Sequence, residues 1–254
     1  MTSSHGAFAV LTLLLTLATA VVAQDSATIR HRLPVDSSHI QPFHRSYDIL
    51  VQTRDSMVVV GQRDVTMSAA TYAGAPSWLI VEWHTGVVPA AESLYLAPDV
   101  RPAHWSSAIG AARLGLEFVG DSIYGATTTP MGRQNVVLGA RPDLLVSGAM
   151  AEALMPLLPL DSVWRDSVAV FAVDANSASI QPAELAVIGQ EDLSVDSLTR
   201  RPSWVVALRS TSRQVLYWVD KETRATLRAE QAAAPHTGTL LEYRIRPDGT
   251  ASPP

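Results

Sequence analysis

Residues 58–67 read VVVGQRDVTM, and residues 186–195 read AVIGQEDLSV. Each is followed by a turn-rich spacer and then by nearly the same segment, PSWLIV at 76–81 and PSWVVA at 202–207. Leu94-Tyr95 and Leu216-Tyr217 come next, with Asp99 and Asp220 a few residues on, then Arg101 and Arg224. Self-similarity of this length points to a supersecondary unit used twice. The unit is about four antiparallel strands, over about 58–107 and 185–231. Convergent hairpin patterning is the alternative explanation. Gly61 and Gly189 sit where a strand needs a bulge or a close backbone approach. Trp78 and Trp204 head equivalent strands and are expected to anchor one continuous apolar interior.

Outward from the two copies, the dominant signal is period two, the mark of strands with one buried face. Tyr47, Ile49 and Val51 alternate with Asp48, Leu50 and Gln52, and Arg63, Val65 and Met67 alternate with Asp64, Thr66 and Ser68. Further strands are expected at 57–60, 78–83, 93–96, 114–119, 122–128, 168–173, 185–188, 204–209, 215–219, 225–230 and 239–246. One segment breaks the pattern: Asp143 to Met155 spaces Val146, Met150, Ala153 and Leu154 at helical intervals. Asp143 is its candidate N-cap and Pro156 its stop. The fold class is therefore mainly β, a curved antiparallel sheet or incomplete barrel built from two repeated strand units with one short capping helix. A single domain at 46–246 follows an extended arm at 24–45, and a disordered tail occupies 247–254.

Ala7 to Val22 is an uninterrupted run of apolar residues and threonines that ends in Ala18-Thr19-Ala20 and Val21-Val22-Ala23. That layout predicts a signal peptide over 1–23, cleaved after Ala23 or Ala20, rather than a membrane anchor. The expected address is exported, periplasmic or secreted, with no stable membrane anchor after cleavage. The 254 residues contain no cysteine, eighteen Arg, one Lys and a net charge of −5. Disulfide scaffolds, thiolate metal sites and cysteine nucleophiles are thereby excluded. An acidic balance without a basic tract argues against a nucleic-acid partner.

The late hairpin Leu216-Tyr217-Trp218-Val219-Asp220, Lys221-Glu222-Thr223-Arg224 and Leu227-Arg228, with the Pro202-Ser203-Trp204 strand before it, resembles the periplasmic lipoprotein-carrier superfamily, LolA/LolB-like. Within that architecture it is similar to exported proteins of unknown function. The resemblance covers about Tyr47 to Arg246. It implies an incompletely closed barrel with a hydrophobic concave face, where characterised relatives bind acyl chains. The several lid helices of a true carrier are missing here.

Catalytic and metal signals are weak. Gly120-Asp121-Ser122-Ile123 resembles the block of one esterase family, but it joins two alternating segments and reads as a hairpin turn. No phosphate-binding glycine loop is present. His31, His39, His44, His84 and His104 lack ligand spacing, so no metal and no cofactor are expected. The leading expectation is a non-enzymatic protein that binds a lipid, an acyl chain or an apolar segment of an envelope partner. Its contacts would be Trp78, Ile80, Met150, Leu154, Trp204, Val206 and Trp218, all on the concave face. A structural or envelope-assembly module with a filled core is the alternative, and a hydrolase a distant third.

Overall fold

The computed structural model describes residues 32–53, 55–86, 89–173, 178–211, 213–232 and 240–246. The expected signal peptide, the arm before Arg32 and the C-terminal tail lie outside these residues. Eight strands form one antiparallel meander: β1 (Phe43–Gln52), β2 (Met57–Tyr72), β3 (Ala75–Gly86), β4 (Ala90–Leu96), β5 (Pro102–Ile109), β6 (Ala112–Val119), β7 (Ser122–Thr129) and β8 (Gly132–Gly139). The chain then passes through a two-residue strand, β9 (Leu144–Leu145), and a helix, α1 (Gly148–Leu154). A second meander follows: β10 (Arg165–Val173), β11 (Ala178–Ser194), β12 (Arg200–Ser210), β13 (Gln214–Asp220), β14 (Thr226–Ala232) and β15 (Leu240–Ile245).

The two meanders join where β15 pairs antiparallel with β1, Tyr47 opposite Ile245 and Val51 opposite Leu241. The result is one fifteen-stranded sheet in the order β8-β7-β6-β5-β4-β3-β2-β1-β15-β14-β13-β12-β11-β10-β9. It is curved and unclosed, with β8 and β9 at its ends. Among the described residues only β9 runs parallel to its neighbour, β10.

The repeated segments form corresponding meanders, β2-β3-β4 and β11-β12-β13, and in each the glycine adjoins a bulge. Val60 is the extra residue opposite the Ile49/Leu50 step of β1, and Ile188 is the extra residue opposite the Val205/Val206 step of β12. The registers nevertheless differ: Gly61 faces Gly86 on β3, whereas Gly189 faces Val205 on β12. The β2–β3 hairpin runs on to a tight turn at Ala73-Gly74, so its arms are longer beyond the shared motif. Only Gly61 is needed for close approach. A Cβ there would lie 2.1 Å from the Thr85 carbonyl oxygen, whereas one at Gly189 would meet nothing within 4 Å.

Several expected boundaries move. The strand at 57–60 continues through Gly61 as the first part of β2, because the bulge absorbs the glycine without ending the ladder. The arm gives way to strand at Phe43. β5 and β8 were not legible as strands, since β5 opens on Pro102 and carries Ser106-Ser107, and β8 is polar over Arg133 to Asn135, so neither alternates clearly. The helix is shorter than 143–155 and is capped by Ser147, whose Oγ accepts from the Met150 amide at 3.1 Å. Asp143 is engaged elsewhere: its carboxylate takes Arg141 at 2.9 and 2.7 Å, and its carbonyl accepts the Ala169 amide, which draws Leu144-Leu145 onto β10. Gly148 thus stands in the first turn, where its low helix propensity matters little. A 3-10 turn at Met155–Leu157 completes the segment.

α1 lies within the curve of the sheet. Ala149 to Leu154 are all buried, and they join Ile80, Leu94, Leu116, Leu185 and Val206 in one core. Substituting Gly61 by Ala should cost about 1–3 kcal/mol in denaturant unfolding, because backbone must move to admit the methyl. Gly189→Ala should stay within about 1 kcal/mol of wild type. Equal effects at both positions would show that the two bulges are packed alike.

Candidate functional site

The inward face of β1–β4 carries charge as well as hydrocarbon. Tyr47, Arg63 and His84 are cross-strand neighbours, as are Arg45, Val65, Glu82 and Glu92. α1 brings Glu152 against them. The Glu152 carboxylate, 1% exposed, accepts from the Tyr47 hydroxyl and from Arg63 Nη1, and Arg45 Nη1 stands 3.9 Å away. Arg63 Nε donates to Glu82 at 2.7 Å, and Glu82 also pairs with His84. The helix backbone is held too, since Thr226 Oγ1 donates to the Glu152 carbonyl at 3.2 Å.

These groups set one another's titration. Burial disfavours the Arg63 cation, but Glu152 and Glu82 outweigh it and hold the guanidinium charged above its usual range. Burial, then the Glu152 charge, pushes the Tyr47 phenol well up. Glu82 resists burial because Arg63 and His84 stabilise its charge, and its carboxyl falls to about 2. For Glu92 the pull of Ser147, Trp105 and Arg63 is too weak to offset burial. Burial and the neighbouring Glu82 charge push it up to about 7, and its Oε1 is buried without a hydrogen-bond partner.

α1 leaves one part of the interior unfilled. Between its first turn and strands β10–β13 lies a chamber of about 340 Å³. Leu145, Val146, Phe171, Leu208 and Val215 give it apolar walls, while Arg213, Tyr217, Gln181 and Gln231 supply polar groups. Phe171 meets Trp105 of β5 edge to face, with centroids 5.5 Å apart. A larger cleft of about 500 Å³ is lined by Arg32, Arg101 and Arg141, but its charge is internally balanced. Arg32 and Arg101 both pair with Asp99, at 3.3 and 2.8 Å, and Arg141 pairs with Asp143 at 2.7 Å.

The sequence-derived contacts divide into three groups. Ile80, Met150, Leu154 and Val206 do come together inside the sheet, as packed core that α1 covers. Met150 and Leu154 also edge a small cleft of about 200 Å³ beside Leu33 and Val100. Trp78 and Trp204 are half-buried at the margin of that core, and Lys221 Nζ stands 4.1 Å over the Trp204 ring. Trp218 is not on the concave face. It is the cross-strand partner of Val205, so it points away from Val206, and Tyr217 takes the inward place. Its indole donates to Glu191 at 2.7 Å, and Arg228 lies 4.5 Å over its ring. None of the seven lines the 340 Å³ chamber.

Arg63 and Glu82 could have been found, because each falls in phase with inward apolar residues, Val65 and Met67 in one case and Trp78 and Ile80 in the other. Glu152 likewise stands alone among apolar neighbours in the helix. The chamber had no such signal, since it is assembled from six strands and a helix start distant in sequence. Gly120-Asp121 forms the tight turn expected of it, with Val119 paired to Ser122.

Scans of family models and of curated proteins return no match. Among solved structures the chain is similar to a β-barrel-like protein of domain of unknown function DUF1849 from Brucella abortus. The TM-score is 0.52 at 10% identity, covering 84% of this chain and 96% of that one. The likeness is one of fold: a β-barrel-like domain.

Glu92 makes the buried cluster visible in solution. Its carboxyl is raised from 4.5 to about 7 on folding, so the folded state binds more protons than the unfolded one between those values. Stability therefore falls as pH rises from about 4.5 to 7. Glu92→Gln should match wild type near pH 4.5 and exceed it by on the order of 2–3 kcal/mol at pH 8 in urea titrations. A pH-independent difference would contradict this account.

Proposed function

We propose that this is an exported, non-catalytic binding protein that takes one apolar ligand, a lipid or single acyl chain, into the chamber between α1 and β10–β13. The observation that carries the reading is the chamber itself: a space of about 340 Å³, open at one side, with apolar walls and a few convergent polar groups. Small-molecule sites have this composition and volumes from about 300 Å³ upward. The size suits one chain better than a multiply acylated anchor. Export is supported by the apolar run Ala7 to Val22 and its small-residue end. The likeness to lipoprotein carriers rests on the hairpin at Asp220–Arg224, which here clamps the helical segment: Arg224 donates to the carbonyls of Pro156, at 3.1 Å, and Leu158.

A second reading, an envelope-assembly module acting through its surface, is favoured by the helix that fills most of the concave face and by the unpaired edge at β8. Filling the chamber separates the two. The full chain should bind the neutral probe N-phenyl-1-naphthylamine with rising fluorescence, and lipid should be recovered from it by mass spectrometry. Ala172→Trp, which places an indole in the chamber wall, should weaken probe binding by at least about tenfold with little change in unfolding midpoint. A wild-type chain that binds no probe and carries no lipid would remove the ligand reading in favour of the module.

A further inference from the structure

The chamber's polar groups include one cation and no anion. Its lining contains no Asp or Glu, and Arg213 is its charged member. Arg213 Nη2 is held by the neutral Gln231 side chain, and among the described residues no carboxylate pairs with it. This sets it apart from Arg63, Arg141, Arg228 and Arg244, each matched to an acid. Further along, in β13, Tyr217 is 3% exposed and lines the chamber. Its hydroxyl makes no hydrogen bond among the described residues and is not sealed in the core, so it is free to meet a ligand in the chamber. Burial holds that phenol up at about 12, against the pull of the nearby Arg213 charge, so it stays a neutral donor.

An uncompensated guanidinium and an unpartnered phenolic O–H, above walls formed by Leu145, Val146, Phe171 and Val215, make a site with one anion-binding end and one apolar end. We propose that the ligand is a single-chain amphiphile with a carboxylate head, the head accepting from Arg213 and Tyr217 and the chain lying against Phe171. This rests on the chamber being a ligand site, and it adds the head-group chemistry that decides which apolar molecules are taken. Planar, bidentate recognition of a carboxylate is what a guanidinium does well, and charge-assisted hydrogen bonds are about twice as strong as neutral ones.

The test compares decanoate, decanol and decyltrimethylammonium by calorimetric titration into the full chain, below their micellar concentrations. Decanoate should bind about tenfold or more tightly than decanol, and the cationic amphiphile weakest. Arg213→Gln should abolish the preference for decanoate, weakening decanoate far more than decanol. Tyr217→Phe should reduce the preference in part. Arg213 is exposed in a turn, so its variant is expected to fold. Equal binding of decanoate and decanol by wild type, or a preference that survives Arg213→Gln, would overturn the head-group assignment while leaving the apolar chamber intact. Failure of all three to bind would remove the chamber as a ligand site, and the head-group assignment with it.

Discussion

The Glu152 carboxylate, clasped by Arg63 and Tyr47 inside the curve of the sheet, is the interaction on which the rest of the structure depends. An unclosed sheet has a concave apolar face that must be covered, and here a helix of seven residues covers it. A helix that short has little stability of its own and holds its shape through packing. Hydrocarbon alone would let it slide or rotate, because apolar burial is not directional. A buried carboxylate with fixed partners on β1 and β2 allows a single placement. Removing one partner would strand an unpaired charge in the core, at a cost of about 3–5 kcal/mol.

The same placement explains where space remains. Arg63 draws α1 toward β1–β4, and Arg224 holds the segment after it from the other meander. What α1 does not reach is the region under β10–β13, and there the chamber lies. Its charge follows from this arrangement as well. The interior carboxylates Glu82, Glu92 and Glu152 are gathered on the β1–β4 side, leaving Arg213 on the chamber side without an acid. An open half-barrel thus becomes a core with two electrostatic regions, one rich in carboxylates and one whose cation, Arg213, has no acid among the described residues.

Much of the architecture was legible from alternation. Most strands announced themselves in this way, and the break in period at 143–155 marked the helical segment. β5 and β8 were hidden because Pro102 and Ser106-Ser107 in one, and the polar run Arg133 to Asn135 in the other, interrupt the alternation. The helix start was misplaced because Asp143, a good cap by type, is bound by Arg141, a contact made in three dimensions. The duplicated motif led to paired meanders but concealed their difference in register, which depends on hairpin length beyond the shared residues. For the site, the inward Trp positions led to the core, while Trp218 failed because the register at Val205/Val206 sets its face and a run of four apolar or aromatic residues (Leu216 to Val219) has no visible period. Arg213 and Tyr217 acquire meaning only from what they lack, and a missing partner cannot be read from sequence.

Hydrogen–deuterium exchange of the α1 amides, resolved by NMR, tests most directly whether the helix is an interior plug fixed by Glu152. The amides of Ala151 to Leu154 should exchange only through opening as costly as that of β12 and β13, in the same cooperative unit. Exchange at the rate of a surface helix while the neighbouring strands stay protected would contradict the account, because α1 would then be a lid resting on the sheet.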